Sequence, residues 1–157
     1  IRDRSWIGDA RSSRGEVLVK GSCNCRNIVL DWQTVDFSAV PRRCDCSFCR
    51  ARDLCWVSKQ GTRLRVTINN ARYHELLRQG TETAEFHRCT HCGQIVLASS
   101  EIDGDLYAVI NAATLDNPAG FAEPVSADFD GEALGDRLER RRLNWCGPLQ
   151  ITYADET

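Results

Sequence analysis

Cys89-Thr90-His91-Cys92-Gly93 is the stretch from which the fold can be read. Two residues between the cysteines let both sulfurs turn onto one ion. The glycine permits the tight turn that aims backbone N–H groups at sulfur. One such knuckle supplies two ligands, and a tetrahedral site needs two more. The isolated pair Cys23-Asn24-Cys25 is the natural complement, because the remaining cluster, Cys44-Asp45-Cys46-Ser47-Phe48-Cys49-Arg50, is self-contained. The expectation is one closed site that ties a hairpin near the start of the chain to its middle.

The second cluster differs in kind. Three sulfurs within six residues cap one face of an ion and do not easily supply a fourth ligand. Cys55, Cys146, a histidine, water or a substrate are the candidates for that position. Asp45 and Ser47 suit orienting a thiolate or a bound water, and Arg50 suits pairing with an anionic substrate group. A tri-thiolate zinc is a Lewis acid and holds an incoming thiol as thiolate near neutral pH, which fits adding a thiol to a carbonyl or carrying a thiol. The alternative is a second closed, purely structural site. Zinc suits paired thiolates at knuckle spacing; an iron–sulfur cluster is the competing occupant.

The bulk numbers narrow the rest. The chain has 157 residues, 42% of them hydrophobic, enough for one globular domain with a core. Its 20 basic and 22 acidic residues leave a formal charge of -2, which gives no push towards nucleic acid or an anionic membrane. No apolar run is long enough to span a bilayer, and Arg2, Asp3, Arg4 and Trp6 do not open a signal peptide. Nine cysteines is an odd count, and clustered thiols in a reducing compartment point to metal, not disulfides. The expected location is cytoplasmic.

Short alternating or β-branched runs predict a mainly β fold. Gly15 to Lys20 and Ile28 to Trp32 read as a hairpin around the first cysteine pair. Leu54 to Ser58, Leu64 to Ile68, Glu85 to His87, Gln94 to Ser99 and Leu106 to Asn111 read as further strands. Ala71 to Gln79 suits either helix or strand. Pro118-Ala119-Gly120 and Asp130-Gly131 mark turns. Leu134 to Leu143 is the best helix, with Leu134, Leu138 and Leu143 on one side. The run Arg140-Arg141-Arg142 reads as a solvated helix end, where basic residues favour the dipole. Cys55 and Cys146 read as small buried hydrophobes. His91 reads as solvent-facing, and His87 as a residue that could support the knuckle. Residues 1–14 read as a loose arm and 15–157 as a single domain.

The ordered set Gly21-x-Cys23-x-Cys25, Cys44-x-Cys46-Ser47-x-Cys49-Arg50 and Cys89-x-x-Cys92-Gly93 resembles the GFA family, named for a glutathione-dependent formaldehyde-activating enzyme and including the centromere protein V domains. The resemblance runs from about Gly15 to Leu115. It implies a β-tent zinc scaffold of small antiparallel sheets, with Ala71 to Gln79 as strand. It also implies a structural zinc on Cys23, Cys25, Cys89 and Cys92, and a second zinc on Cys44, Cys46 and Cys49. The implied activity is a carbon–sulfur lyase reaction joining formaldehyde to a thiol such as glutathione. A non-catalytic glutathione carrier or zinc-stabilised protein-binding module is the alternative. The chain departs from the family pattern at three places: Arg26 where Gly is usual, Arg88 where an aromatic is usual, and the bulky stretch Ala51-Arg52-Asp53-Leu54-Cys55-Trp56.

Overall fold

The computed structural model describes residues 17–34, 36–117 and 120–155. The expected arm over 1–14, the expected first strand's start at Gly15 and the Pro118-Ala119 part of the expected turn lie outside the described residues.

Strand β1 (Val17–Ser22) and β2 (Ile28–Thr34) form the expected hairpin, with Gly21 opposite Leu30 and Ser22 opposite Val29. The turn between them carries Cys23 and Cys25. Along β2 the inward residues are Ile28, Leu30 and Trp32, every second position, as the pleat requires. Each faces an inward residue of β5 (Arg63–Ile68): Ile28 opposite Ile68, Leu30 opposite Val66, Trp32 opposite Leu64. All six side chains are at most 1% exposed. The buried Trp32 indole keeps its N–H satisfied by donating to Thr62 Oγ1 at 2.9 Å. Strand β11 (Leu149–Tyr153) closes this four-stranded sheet in the order β1-β2-β5-β11.

The larger sheet has seven strands. The remaining strands in chain order are β3 (Arg42–Cys44), β4 (Trp56–Val57), β6 (His74–Leu77), β7 (Glu85–Cys89), β8 (Ile95–Ile102), β9 (Asp105–Asn111) and β10 (Val125–Ala127). They are ordered β10-β3-β4-β9-β8-β7-β6. The fold is thus mainly β, as expected. The pairing is mostly antiparallel; β10 on β3 and β11 on β5 are parallel, because both late strands return from distant chain to an edge. Ala71 to Gln79 resolves into a 3-10 turn at Ala71–Tyr73 followed by β6, the strand that the family resemblance implies.

The central strands of the large sheet, β4, β9 and β8, are buried on both faces. Along β9, Ala108 and Ile110 join the core shared with the small sheet, whereas Val109 joins a second cluster with Trp56, Phe86, Ala98 and Trp145. Two helices accompany that second face: α1 (Ser47–Ala51) and α2 (Leu134–Asn144). Helix α2 starts at Leu134 as expected and runs one residue further, to Asn144, but turns its arginine stripe inward, with Leu138 half-buried. Leu134 and Leu143 are 48% and 50% exposed, while Arg141 is 6% exposed. The expectation of a leucine-faced helix with a solvated arginine end is therefore corrected. Packing chose the arginine side because buried hydroxyls and a carboxylate there can satisfy guanidinium groups.

Gly21 is held where no side chain fits. A Cβ there would lie 2.6 Å from the Thr114 carbonyl oxygen and 3.1 Å from Leu115 Cα, and backbone atoms cannot swing away. Gly21→Ala should cost about 1–3 kcal/mol by overpacking. Chemical denaturation of the two proteins side by side checks this, and an unchanged midpoint would contradict the register.

Candidate metal centres and cleft

The β1–β2 turn and the β7–β8 turn bring Cys23, Cys25, Cys89 and Cys92 together, their sulfurs all within 4.8 Å of one another. Cys25 Sγ lies 3.7 Å from Cys23 Sγ and 3.5 Å from Cys89 Sγ. Four sulfurs about 2.3 Å from a common centre at tetrahedral angles are about 3.8 Å apart, so this set fits a zinc-sized ion. The Ile28 N–H donates to Cys23 Sγ at 3.3 Å, the kind of contact that supports a thiolate. Gly93 has φ +84°, and its N–H closes the knuckle on the Cys89 carbonyl at 2.7 Å. The Asn24 N–H donates to Gln94 Oε1 at 2.9 Å, joining the two turns a second time. Arg26, the departure after the first pair, has φ +66°, a conformation in which glycine is unstrained. It is held by the Asn69 amide donating to its carbonyl at 2.9 Å.

His87 is buried beside this centre, its Nε2 2.7 Å from Ser99 Oγ and its Nδ1 2.9 Å from His74 Nε2. Burial, with His74 adjacent, lowers its pKa to about 3, so it is a neutral, hydrogen-bonded core residue. His91 is exposed, its ring centroid 5.2 Å from that of Tyr73.

The second cluster is assembled by β3 and α1. Cys44 ends the strand, Cys46 caps the helix by accepting the Cys49 N–H at 3.4 Å, and Cys49 is buried on the helix's inner side. The three sulfurs lie within 4.8 Å of one another, close enough to cap one ion. Among the described residues no fourth His, Cys, Asp or Glu joins them. Cys55 and Cys146 are buried elsewhere, and Cys55 lines a separate surface hollow with Pro41 and Phe121. Asp45 and Ser47 are exposed. Trp56 Nε1 donates to Cys49 Sγ at 3.5 Å. The hydrogen bond from Cys49 draws the Cys44 thiol down to about 5 and pushes Cys49 up, so these thiols share protons instead of titrating separately.

These sulfurs line a cleft of roughly 110 Å³. Trp56, Phe86, Ala98, Val109 and Trp145 give it an apolar lining, and Arg42, Arg137 and Arg140 bring three cations. Arg50, the cation expected from sequence, is exposed on α1 and does not line the cleft. The arginines that do line it were legible in two patterns. Arg42 and Cys44 stand two apart on a strand, hence on one face. Arg137, Arg140, Arg141 and Asn144 follow i, i+3, i+4, i+7, one stripe of a helix. Arg141 anchors that stripe, donating to Thr83 Oγ1 at 2.9 Å and Ser100 Oγ at 3.1 Å. Arg140 makes a forked pair with Glu132, at 3.1 Å to each carboxylate oxygen.

A family model described as glutathione-dependent formaldehyde-activating enzyme matches residues 18–130. The chain belongs to the GFA family. No protein of curated function matches it. Among solved structures, a Rhodobacter sphaeroides protein known from a crystal structure is similar. It is 30% identical, the match covers 69% of this chain and 99% of that one, and the TM-score is 0.55. The GFA span holds both cysteine clusters and Arg42 but ends before α2, so two of the three cleft arginines come from sequence beyond it.

Glu132 carries a pH signature. Arg140 hydrogen-bonded to it lowers its pKa below the ordinary 4.5. A carboxylate lowered on folding adds stability above its unfolded pKa and loses it as pH falls through the folded value. Glu132→Gln should therefore melt below the wild type near neutral pH, and the gap should close as the pH drops through the acid range. Paired thermal melts across that range check it; a gap that stays constant with pH would exclude the ion pair as its source.

Proposed function

We propose that the chain is a zinc-dependent enzyme of the GFA type, working in the cytoplasm on a thiol and an aldehyde or on their adduct. Glutathione and formaldehyde are the pair that the family name suggests. In this reading residues 15–157 form one zinc-binding domain. Cys23, Cys25, Cys89 and Cys92 hold a structural zinc, and Cys44, Cys46 and Cys49 hold a second. The observation that carries the reading is the open cluster: three converging sulfurs on the wall of an apolar cleft, with no fourth protein ligand among the described residues.

Zinc on the open cluster supplies Lewis acidity and keeps a bound thiol deprotonated near neutral pH. The protein's own part is to prepare the surroundings. Trp56, Phe86 and Trp145 displace water, which strengthens every charge interaction inside the cleft. Arg42, Arg137 and Arg140 favour an anionic guest over a neutral one. In the condensation a carbon–sulfur bond forms, the carbonyl π pair moves to oxygen, and that oxygen takes the proton the thiol gives up. Arg50 lies outside the cleft lining, and its part is at most a surface charge near α1.

A thiol carrier without turnover is the second reading. It is favoured by the cleft lining, where Ser58 and Gln79 are present but no His, Asp or Glu is found among the described residues. Aldehyde turnover above background supports the enzyme; background turnover with retained thiol binding supports the carrier.

Zinc content and melting of three proteins test the two centres. The wild type should hold two zinc ions. Cys49→Ala should lose one and stay folded, whereas Cys92→Ala should lose the folded state, because structural zinc binding is folding free energy. Equal unfolding by both variants would make the second centre structural and remove the basis for an active cleft.

A further inference from the structure

Three arginines, Arg42, Arg137 and Arg140, share one cleft lining with Cys44, Cys46 and Cys49. Glu132 offsets part of the charge, in a forked pair with Arg140 and 3.9 Å from Arg137 Nε. Arg137 Nε is buried without a hydrogen-bond acceptor among the described residues. Arg42 is half-buried, lines the cleft together with Arg140, and has no carboxylate partner among the described residues. Glu132 serves Arg137 and Arg140, but the cost of partly dehydrating Arg42 is offset by no carboxylate among the described residues. An anion in the cleft beside Arg42 would offset it.

The shape limits what that anion can be attached to. Roughly 110 Å³ is well below the 300–1,000 Å³ or so of pockets that enclose drug-sized ligands. Trp56, Phe86, Val109 and Trp145 give an apolar space for a short carbon stem, in a lining that also holds the sulfurs and the arginines. The outlet past Arg42 and Ser58 is a broader hollow lined by Lys59, Gln60 and Asn144, together with Val40, Val125 and Leu143. It is wide and open, so it offers a longer guest little enclosure.

We propose that Arg42, Arg137 and Arg140 form an anion subsite that selects compact thiol acids, molecules whose carboxylate lies only a few bonds from the sulfur. This rests on the reading of the tri-cysteine cleft as a thiol site and names the class of thiol it takes. The carboxylate sits against the arginine part of the lining, with Arg42 as its main partner, while the sulfur end points to Cys44, Cys46 and Cys49. Helix α2 sets the selectivity because it brings two of the three cations.

Isothermal titration of the zinc-loaded protein tests this with four probes: 3-mercaptopropionate, its uncharged amide, glutathione, and the sulfur-free 3-phenylpropionate. The acid should bind about tenfold or more tighter than the amide, as expected for a charge-assisted pair, and tighter than glutathione. In Arg42→Gln and Arg137→Gln that preference should fall to about twofold or less, with affinity for the amide unchanged. Arg42→Gln breaks no ion pair and should keep the wild-type melt, so it carries the test even if Arg137→Gln is damaged. Equal binding of acid and amide, or a preference that survives in Arg42→Gln, would overturn the subsite while leaving the thiol site standing. Tighter binding of glutathione would overturn the compact class. If no thiol binds but 3-phenylpropionate still does, with loss in Arg42→Gln, the thiol reading fails and the anion subsite stands.

Discussion

Four sulfurs drawn to within bonding distance of one point are the constraint on which the rest of the molecule depends. Cys23 and Cys25 sit at the tip of the small sheet's hairpin, and Cys89 and Cys92 at a turn of the large sheet. A single ion there would fix how the two sheets meet. The neighbouring contacts are short and specific: a backbone N–H to Gln94, a glycine at a positive φ, and a neutral His87 wedged between Ser99 and His74. None of them alone equals the free energy that a tetra-thiolate zinc contributes, on the order of 10 kcal/mol or more in small zinc folds.

Once one face of the large sheet is committed to the small sheet, the other face is available for chemistry. Val109, Ala98 and Phe86 on that face meet Trp56 and Trp145, and the end of β3 with the start of α1 brings three sulfurs to the same place. Helix α2 docks there through a buried arginine instead of a leucine stripe. Arg141 loses most of its hydration, and burial lowers its pKa to about 10, still far above neutral, so it stays charged. Two hydroxyls and the nearby Glu132 make that tolerable. Such a contact is directional in a way that apolar packing is not, which suits a helix whose task is to aim Arg137 and Arg140.

The strands and both cysteine groupings were legible because their signals are local: alternation of period two, ligand spacing, and a glycine after the knuckle. The open character of the second cluster followed from counting its sulfurs. What was not legible depends on which face of an element meets which neighbour. Leu134, Leu138 and Leu143 made the conventional choice of buried face, and only the tertiary partners Thr83, Ser100 and Glu132 reverse it. Arg50 was the obvious cation by adjacency to Cys49, but one step along a five-residue helix turns a side chain by roughly 100°, away from the cluster. Arg42 was passed over because its signal, two residues from Cys44 and so on one face with it, counts only once that short segment is known to be a strand.

The stretch that departs most from the family pattern explains how the cleft can be narrow without being filled. Phe48 packs on Phe86 with ring centroids 4.7 Å apart, and Arg52 covers the Phe48 ring at 3.9 Å. Trp56 then stands as a wall whose indole N–H also supports the Cys49 sulfur. Bulk in this segment goes into the wall and its backing. The ligand set for the metal thus comes from the matched family span, whereas the arginine stripe lies beyond it and the wall rests on a variant segment within it. Trp56 apart, the residues that would govern reactivity are separate from those that shape the space, so selection for a different thiol could proceed through α2 and residues 51–55 without disturbing either cluster of sulfurs.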